Sequence, residues 1–221
     1  MRLYPLTTGR LAINIARVSR KLRLDVVVTR AERFDCVVVI ANGTPDDYAF
    51  TIICYHLNGE RIAGILKPPG KTRLEVLDLL PSYSKVGKIM ILMDQEEQDV
   101  DKIFEEAEKK LINAGFRISD KVEEVRLSVY ECEFGGRGLK IVLVVNGLDE
   151  VKTKKHAIED HLLKAAKTLG VEIGSFENSK DAWRTLDRGD REYVFRRLKE
   201  DKRIVEDVFP QQVRGCKYLE D

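Results

Sequence analysis

Asp94, Glu96 and Glu97 follow directly on an unbroken apolar run, Ile89 to Met93. Such a run is the pattern of a strand buried on both faces, and open α/β sheets bind ligands at the carboxyl edge of strands of that kind. Two acids at i and i+2 on a chain leaving a strand, Asp94 and Glu96, can converge on one hard cation such as Mg²⁺. The same residues also fit a solvated strand end that runs into the acidic first turn of a helix, an arrangement the helix dipole favours.

Four further constellations carry chemistry-bearing residue types, each with a structural alternative. Asn42-Gly43-Thr44-Pro45, followed by Asp46 and Asp47, is a strand-to-helix turn; as a phosphate site at a helix N-terminus it is opposed by its own two acids unless a cation intervenes. Lys67-Pro68-Pro69-Gly70-Lys71 brings two lysines to the same kind of edge, but without the spacing of a nucleotide-binding P-loop. Phe134-Gly-Gly-Arg137-Gly138 either sets Arg137 on a phosphate or turns a hairpin. Glu159 and Asp160 either complete an acidic site or lie on a solvated helix face, which is the default expectation. His56, His156 and His161 share no ligand spacing, and surface or helix-capping roles are expected of them. No Gly-x-Ser-x-Gly elbow is present, which leaves serine-hydrolase chemistry without support.

The elements that must position these residues follow from periodicity. Leu11, Ile15, Val18 and Leu22 mark a basic helix over 9–22. Apolar runs predict strands at 24–29, 36–41, 62–66, 88–93, 122–130 and 139–145. Helical patterns lie between them: one starting at Pro45 with Thr44 as its cap, one carrying Leu74, Leu77 and Leu80, one over 99–113 and one over 153–169. The tail reads as helices over 179–187 and 190–207 ending before Pro210, with Trp183, Tyr193 and Phe195 on a packing face. Helices alternating with short apolar strands predict an α/β domain, a mainly parallel sheet covered on both faces, with a helical C-terminal appendage. The expected division is a basic arm over 1–35, the α/β domain over 36–170 and the appendage over 171–221.

The order and spacing of these motifs resemble the topoisomerase–primase (Toprim) family across residues 36–170. That family opens with a buried strand ending in Glu-Gly with an Asp three residues after the Gly; here the strand ends in Asn42-Gly43 and the Asp is Asp46. Its second motif is a buried strand ending in Asp-x-Asp, matched by Asp94-Gln95-Glu96. Pro69-Gly70-Lys71 and the segment from Lys154 to Leu163 resemble parts of small stand-alone Toprim proteins related to the overcoming-lysogenization-defect nucleases. The resemblance implies a Toprim-like fold, Mg²⁺ held by Asp94 and Glu96, Asp46 at the first motif's following Asp, and Asn42 at the position of the family's proton-transferring Glu; phosphate contacts from Lys71 and Arg137 are readings of their own loops. A carboxamide does not titrate near neutral pH, so the catalytic position is damaged while the metal position stands. Two functions remain open: a degenerate module binding nucleic acid or a protein partner, with or without a retained metal, and a Mg²⁺-dependent enzyme cleaving phosphodiesters, in which Asp46 or Glu97 replaces the lost acid.

Composition sets the bounds. The 221 residues carry 38 basic and 37 acidic side chains, a net +1, so no global field draws the chain to nucleic acid or membrane. The charge is uneven: residues 1–33 hold eight basic side chains against Asp25 and Glu32, and residues 94–108 hold eight acids against Lys102. Cys36, Cys54, Cys132 and Cys216 are widely spaced, which argues against a zinc site and for a reduced, cytoplasmic compartment. No apolar run is long enough to span a membrane.

Overall fold

The computed structural model describes residues 2–5, 34–41, 45–57, 62–68 and 73–220. Asn42, Lys71 and the basic segment 9–22 lie outside the described residues.

Among the described residues seven strands form one sheet: β1 (Arg2–Pro5), β2 (Cys36–Ile40), β3 (Ile62–Leu66), β4 (Lys88–Asp94), β5 (Arg117–Glu124), β6 (Leu127–Phe134) and β7 (Arg137–Asn146). Their order is β1-β3-β2-β4-β7-β6-β5. The first five in that order are parallel; β6 and β5 join as antiparallel hairpins. β2 lies between β3 and β4, and Ala41 N donates to Leu92 O at 2.9 Å, so β2 and β4 end at one edge. From β2 the chain goes on to β3, on one side, and from β4 to β5, on the other. The crevice between those two ends is therefore a switch point of the sheet, the usual place for a ligand in an open α/β fold.

The strands read as buried because alternate side chains feed two cores. Val38, Ile40, Met90, Leu92, Val142 and Val144 face α1 (Asp46–Leu57), α3 (Ile158–Thr168), α4 (Ser179–Thr185), α5 (Arg188–Glu200), α6 (Lys202–Val208) and α7 (Pro210–Glu220). Val37, Val39, Ile89, Ile91, Ile141 and Leu143 face α2 (Val100–Asn113) and a 3₁₀ segment, Arg73–Val86. The expected α/β architecture, with helices on both faces and a helical C-terminal part, is what the chain adopts. That C-terminal part covers one face of the sheet: Trp183 meets Phe195 edge to face at 5.6 Å, and Val208, Phe209, Cys216 and Leu219 belong to the same core as β4 and β7. No helix among the described residues is long and apolar enough to cross a membrane.

Local departures from expectation have local causes. Leu74, Leu77 and Leu80 repeat every three residues, which suits a 3₁₀ turn and not an α-helix, and all three are buried. The strand expected over 122–130 is two strands, split where Arg126 adopts φ +59°. The glycine-rich stretch is a two-residue hairpin turn, Gly135-Gly136, both with positive φ. α3 begins at Ile158 and not at 153, because His156 pairs with Glu96 in an antiparallel bridge. The helix expected over 190–207 breaks at Asp201, whose side chain accepts from Arg203 N and so starts α6. Pro210 opens a helix instead of closing one, at the first-turn position where its missing N–H costs nothing.

Candidate functional site

Three elements deliver carboxylates to the switch point. Asp94 ends β4, Asp46 opens α1 after β2, and Glu159 lies in the first turn of α3 after β7. All three are buried. Acids in the first turn of a helix meet the positive end of its dipole, which gives Asp46 and Glu159 a local reason to sit there. Asn146, the last residue of β7 and the register partner of Asp94, ties two of them together. Its Nδ2 donates to Asp46 Oδ1 at 3.0 Å and to Asp94 Oδ1 at 3.1 Å. Asp94 Oδ1 also accepts from Ile158 N at 3.1 Å, which leaves Oδ2 for Lys180.

Lys180, on α4, lies 3.4 Å from Asp94 Oδ2 and 2.5 Å from Glu96 Oε1. Glu96 is held in place by strained backbone. Arg73, Glu96 and Arg126 have φ of +50°, +58° and +59° and are the non-glycine residues with positive φ among those described. All three belong to one loop system: Arg73 donates to Gln95 O and to the Gln98 side chain, and Arg126 donates to the Gln95 side chain and to Asp149. Non-glycine residues at positive φ cost of order 1–3 kcal/mol each and gather at functional sites. The bridge between Glu96 and His156, with bonds of 2.8 and 2.9 Å in the two directions, fixes the loop from its other side.

Behind the acids runs a fully buried amide–imidazole network. His161 Nδ1 donates to Val208 O, so its Nε2 is the acceptor. That nitrogen accepts from Gly147 N at 3.1 Å, with Gln211 Nε2 and Gln212 Nε2 at 3.1 and 3.2 Å from it. Gln212 Nε2 also donates to Asn146 Oδ1 at 2.9 Å, which aims the Asn146 amide nitrogen at the carboxylates. Asp160 accepts from Leu148 N at 3.1 Å and from His156 Nδ1 at 2.6 Å.

The electrostatics follow from this crowding. Burial, then the charges of Asp94 and Glu159, push the Asp46 carboxyl well above the usual range. Burial also raises Asp94, against the pull of Lys180 and Asn146. Glu159 is pushed up to about 7 by burial and then by Asp94. Burial works against the Lys180 charge, but the hydrogen bond to Glu96 and the charge of Asp94 outweigh it and keep the ammonium protonated. Burial drives His161 down to about 3, so the imidazole is neutral, as its acceptor role requires.

Of the residues singled out by sequence, Asp46, Asp94, Glu96 and Glu159 come together. Arg137 does not: it is exposed at the amino end of β7, the opposite end of that strand from Asn146, so it cannot share a phosphate with Asp94. Glu97 is exposed and pairs with Lys155 at 3.2 Å. The solvated-face expectation for Glu159 and Asp160 fails, since both are buried. So does the surface role for His161, which is fully buried; His156 donates to the Asp160 carboxylate and does not cap α3, which has no side-chain cap, and His56 donates to Leu198 O at 2.6 Å. Asn146, Lys180, Gln211 and Gln212 are additions from the structure. A cleft of about 430 Å³ is lined by Glu97, Lys154, Lys155, Phe176, Glu177 and Asp181 among others; Asp46, Asp94, Glu96, Glu159 and Lys180 do not line it.

Carboxylate oxygens are the donors that Mg²⁺ takes, and Glu159 Oε2 is buried with no hydrogen-bond partner. The donor chemistry therefore fits a hard cation. No group of three or more His, Cys, Asp and Glu among the described residues is arranged to hold an ion as it stands; the cation that bridges Asp94 and Glu96 here is Lys180.

No family model, curated protein or solved structure matches this chain. The likeness to Toprim proteins rests on the chain's own motifs.

Proposed function

We propose that this chain is a degenerate Toprim-like module that binds nucleic acid through a phosphate held at a divalent cation on Asp94 and Glu96. One observation carries the reading: Asp46, Asp94 and Glu159 are buried together at the switch point, and one carboxylate oxygen there has no partner. Burying like charges is costly and is expected where a ligand repays the cost. Mg²⁺ is commonly held by one or two carboxylates plus substrate phosphate oxygens, so a three-residue cage is not required. When bound, the ion neutralises a phosphate and polarises it. Asn146 and Ile158 N hold Asp94 in orientation, and the strained loop presents Glu96.

Calorimetric titration with Mn²⁺ tests the metal, and anisotropy with labelled single-stranded DNA and RNA tests the ligand. The wild type gives a saturable heat and metal-dependent binding, and Asp94→Asn abolishes both. Equal heats for the two proteins refute the reading.

A second reading, a Mg²⁺-dependent phosphodiester-cleaving enzyme, is favoured by Glu159, a buried carboxyl at the centre that can take the place of the acid missing at Asn42. General acid–base catalysis is worth about 10²–10⁴-fold. Robust Mn²⁺-dependent cleavage by the wild type, lost in both Asp94→Asn and Glu159→Gln, selects this reading. Feeble cleavage raised by Asn42→Glu selects the degenerate module.

A further inference from the structure

We propose that Lys180 is the built-in counter-ion of this centre, and that a divalent cation binds only by expelling its ammonium toward solvent. The inference rests on the metal reading above and adds to it a competition that sets when the centre loads.

The geometry gives Lys180 the position a metal needs. Asp94 has one oxygen committed to Asn146 and Ile158 N, and its other oxygen faces Lys180. Lys180 Nζ contacts that oxygen at 3.4 Å and Glu96 at 2.5 Å. An Mg²⁺ ion bonding the same two oxygens stands about 2.1 Å from each. The ammonium and the ion cannot both lie there, so loading requires one to leave.

The side chain is built to leave. The backbone of Lys180 is anchored: its N–H donates to Asn178 Oδ1, the cap of α4, at 2.8 Å. The stem is flexible and ends in a compact charge, unlike the planar fork of arginine. The side chain is 28% exposed, so its exit is open. Until it leaves, the ammonium offsets part of the repulsion among Asp94, Glu96 and Glu159, which lets the empty centre fold.

A state that must open before it binds has its apparent affinity lowered by the fraction that is open. Removing the competitor therefore strengthens metal binding even though it removes an interaction. The test is Mn²⁺ calorimetry on the full chain, comparing the wild type with Lys180→Gln and Lys180→Met, with circular dichroism to verify folding. The expected result is Mn²⁺ binding at least about tenfold tighter in both variants, together with a lower melting temperature without metal and a larger rise on adding it. Unchanged or weaker binding in folded variants, with the wild type still binding, overturns the inference and leaves the metal reading intact. No Mn²⁺ uptake by any of the proteins overturns both. A measurement on the wild type alone covers variants that fail to fold: acylation of Lys180 by an amine-reactive ester, quantified by peptide mass spectrometry with and without Mn²⁺. Labelling rises severalfold on loading; labelling unchanged or reduced overturns the inference.

Discussion

Replacing Glu159 by Gln makes the protein more stable in alkaline solution and leaves it nearly unchanged in mild acid. The carboxyl is 5% exposed and titrates at about 7 in the folded chain against 4.5 when unperturbed. Between those values the folded protein holds a proton that the unfolded chain has released. Stability therefore falls as pH rises through that window, by about 1.4 kcal/mol per pH unit. The deficit is absent below pH 4.5 and complete above pH 7, where it reaches about 3 kcal/mol. Glutamine keeps the shape and cannot ionise, so the variant escapes the deficit. Urea denaturation followed by circular dichroism in EDTA, at pH 5, 6, 7 and 8, measures it. Asp46 and Asp94 are raised in the same direction, so both proteins weaken toward alkaline pH; the gap between them is what belongs to Glu159. A gap that stays constant across the four pH values refutes the reasoning, because a pH-independent difference reports packing and not ionisation.

Other perturbations have equally definite outcomes. Asn146→Leu strips Asp46 and Asp94 of their shared amide, while Asp94 keeps Ile158 N and Gln212 keeps His161; with Asp46 the buried group that loses most, at about 1–3 kcal/mol for such a loss, urea unfolding shows a loss of about 1–3 kcal/mol. Gly147→Ala forces a side chain onto a residue at φ +137° and sets its Cβ 2.6 Å from His156 Cβ and 2.9 Å from Arg126 Nη1. It destabilises the chain by at least about 1–3 kcal/mol, and hydrogen exchange at the Glu96 and His156 amides accelerates as their bridge opens. Trp183→Ala removes the edge-to-face partner of Phe195 from the C-terminal layer and lowers unfolding free energy by about 3–5 kcal/mol.

The apolar run of β4 and the acids that end it were legible because strand burial and strand termination are local patterns. Parallel pairing of β2, β3 and β4 followed from the helices between them, since a parallel neighbour needs a crossover. What was not legible depended on distance along the chain. Lys180 is 86 positions from Asp94, in a segment whose hydropathy reads as a packing layer, and nothing local says that its one ammonium turns back to the sheet. Glu159 and Asp160 were assigned to solvent by the rule that charges face water, which fails where a first-turn acid points into a crevice already lined by other acids. His161 looked like any surface histidine until Val208, Gly147, Gln211 and Gln212 surrounded it. Asn146 carried a weak signal: a polar residue closing a run as apolar as Leu139 to Val145 invites a question that Asp94 had already raised one strand away.

Because the acid edge is finished by Ile158, Lys180 and Gln212, the order of synthesis leaves it unfinished for a time. A ribosome delivers β2, β4 and β7 well before α4 and α7. At about 5–20 residues per second, the stretch from 158 to 212 takes roughly three to ten seconds to emerge. During that interval Asp46 and Asp94 stand together without the ammonium or the glutamine that later steadies Asn146, and the face that Phe209 and Cys216 will cover is still open. A nascent chain in this state is both sticky on one face and self-repelling at one edge, and the two liabilities end together when the late helices dock. Codon changes or chaperone encounters that lengthen this interval act on folding yield without altering a single contact in the finished protein.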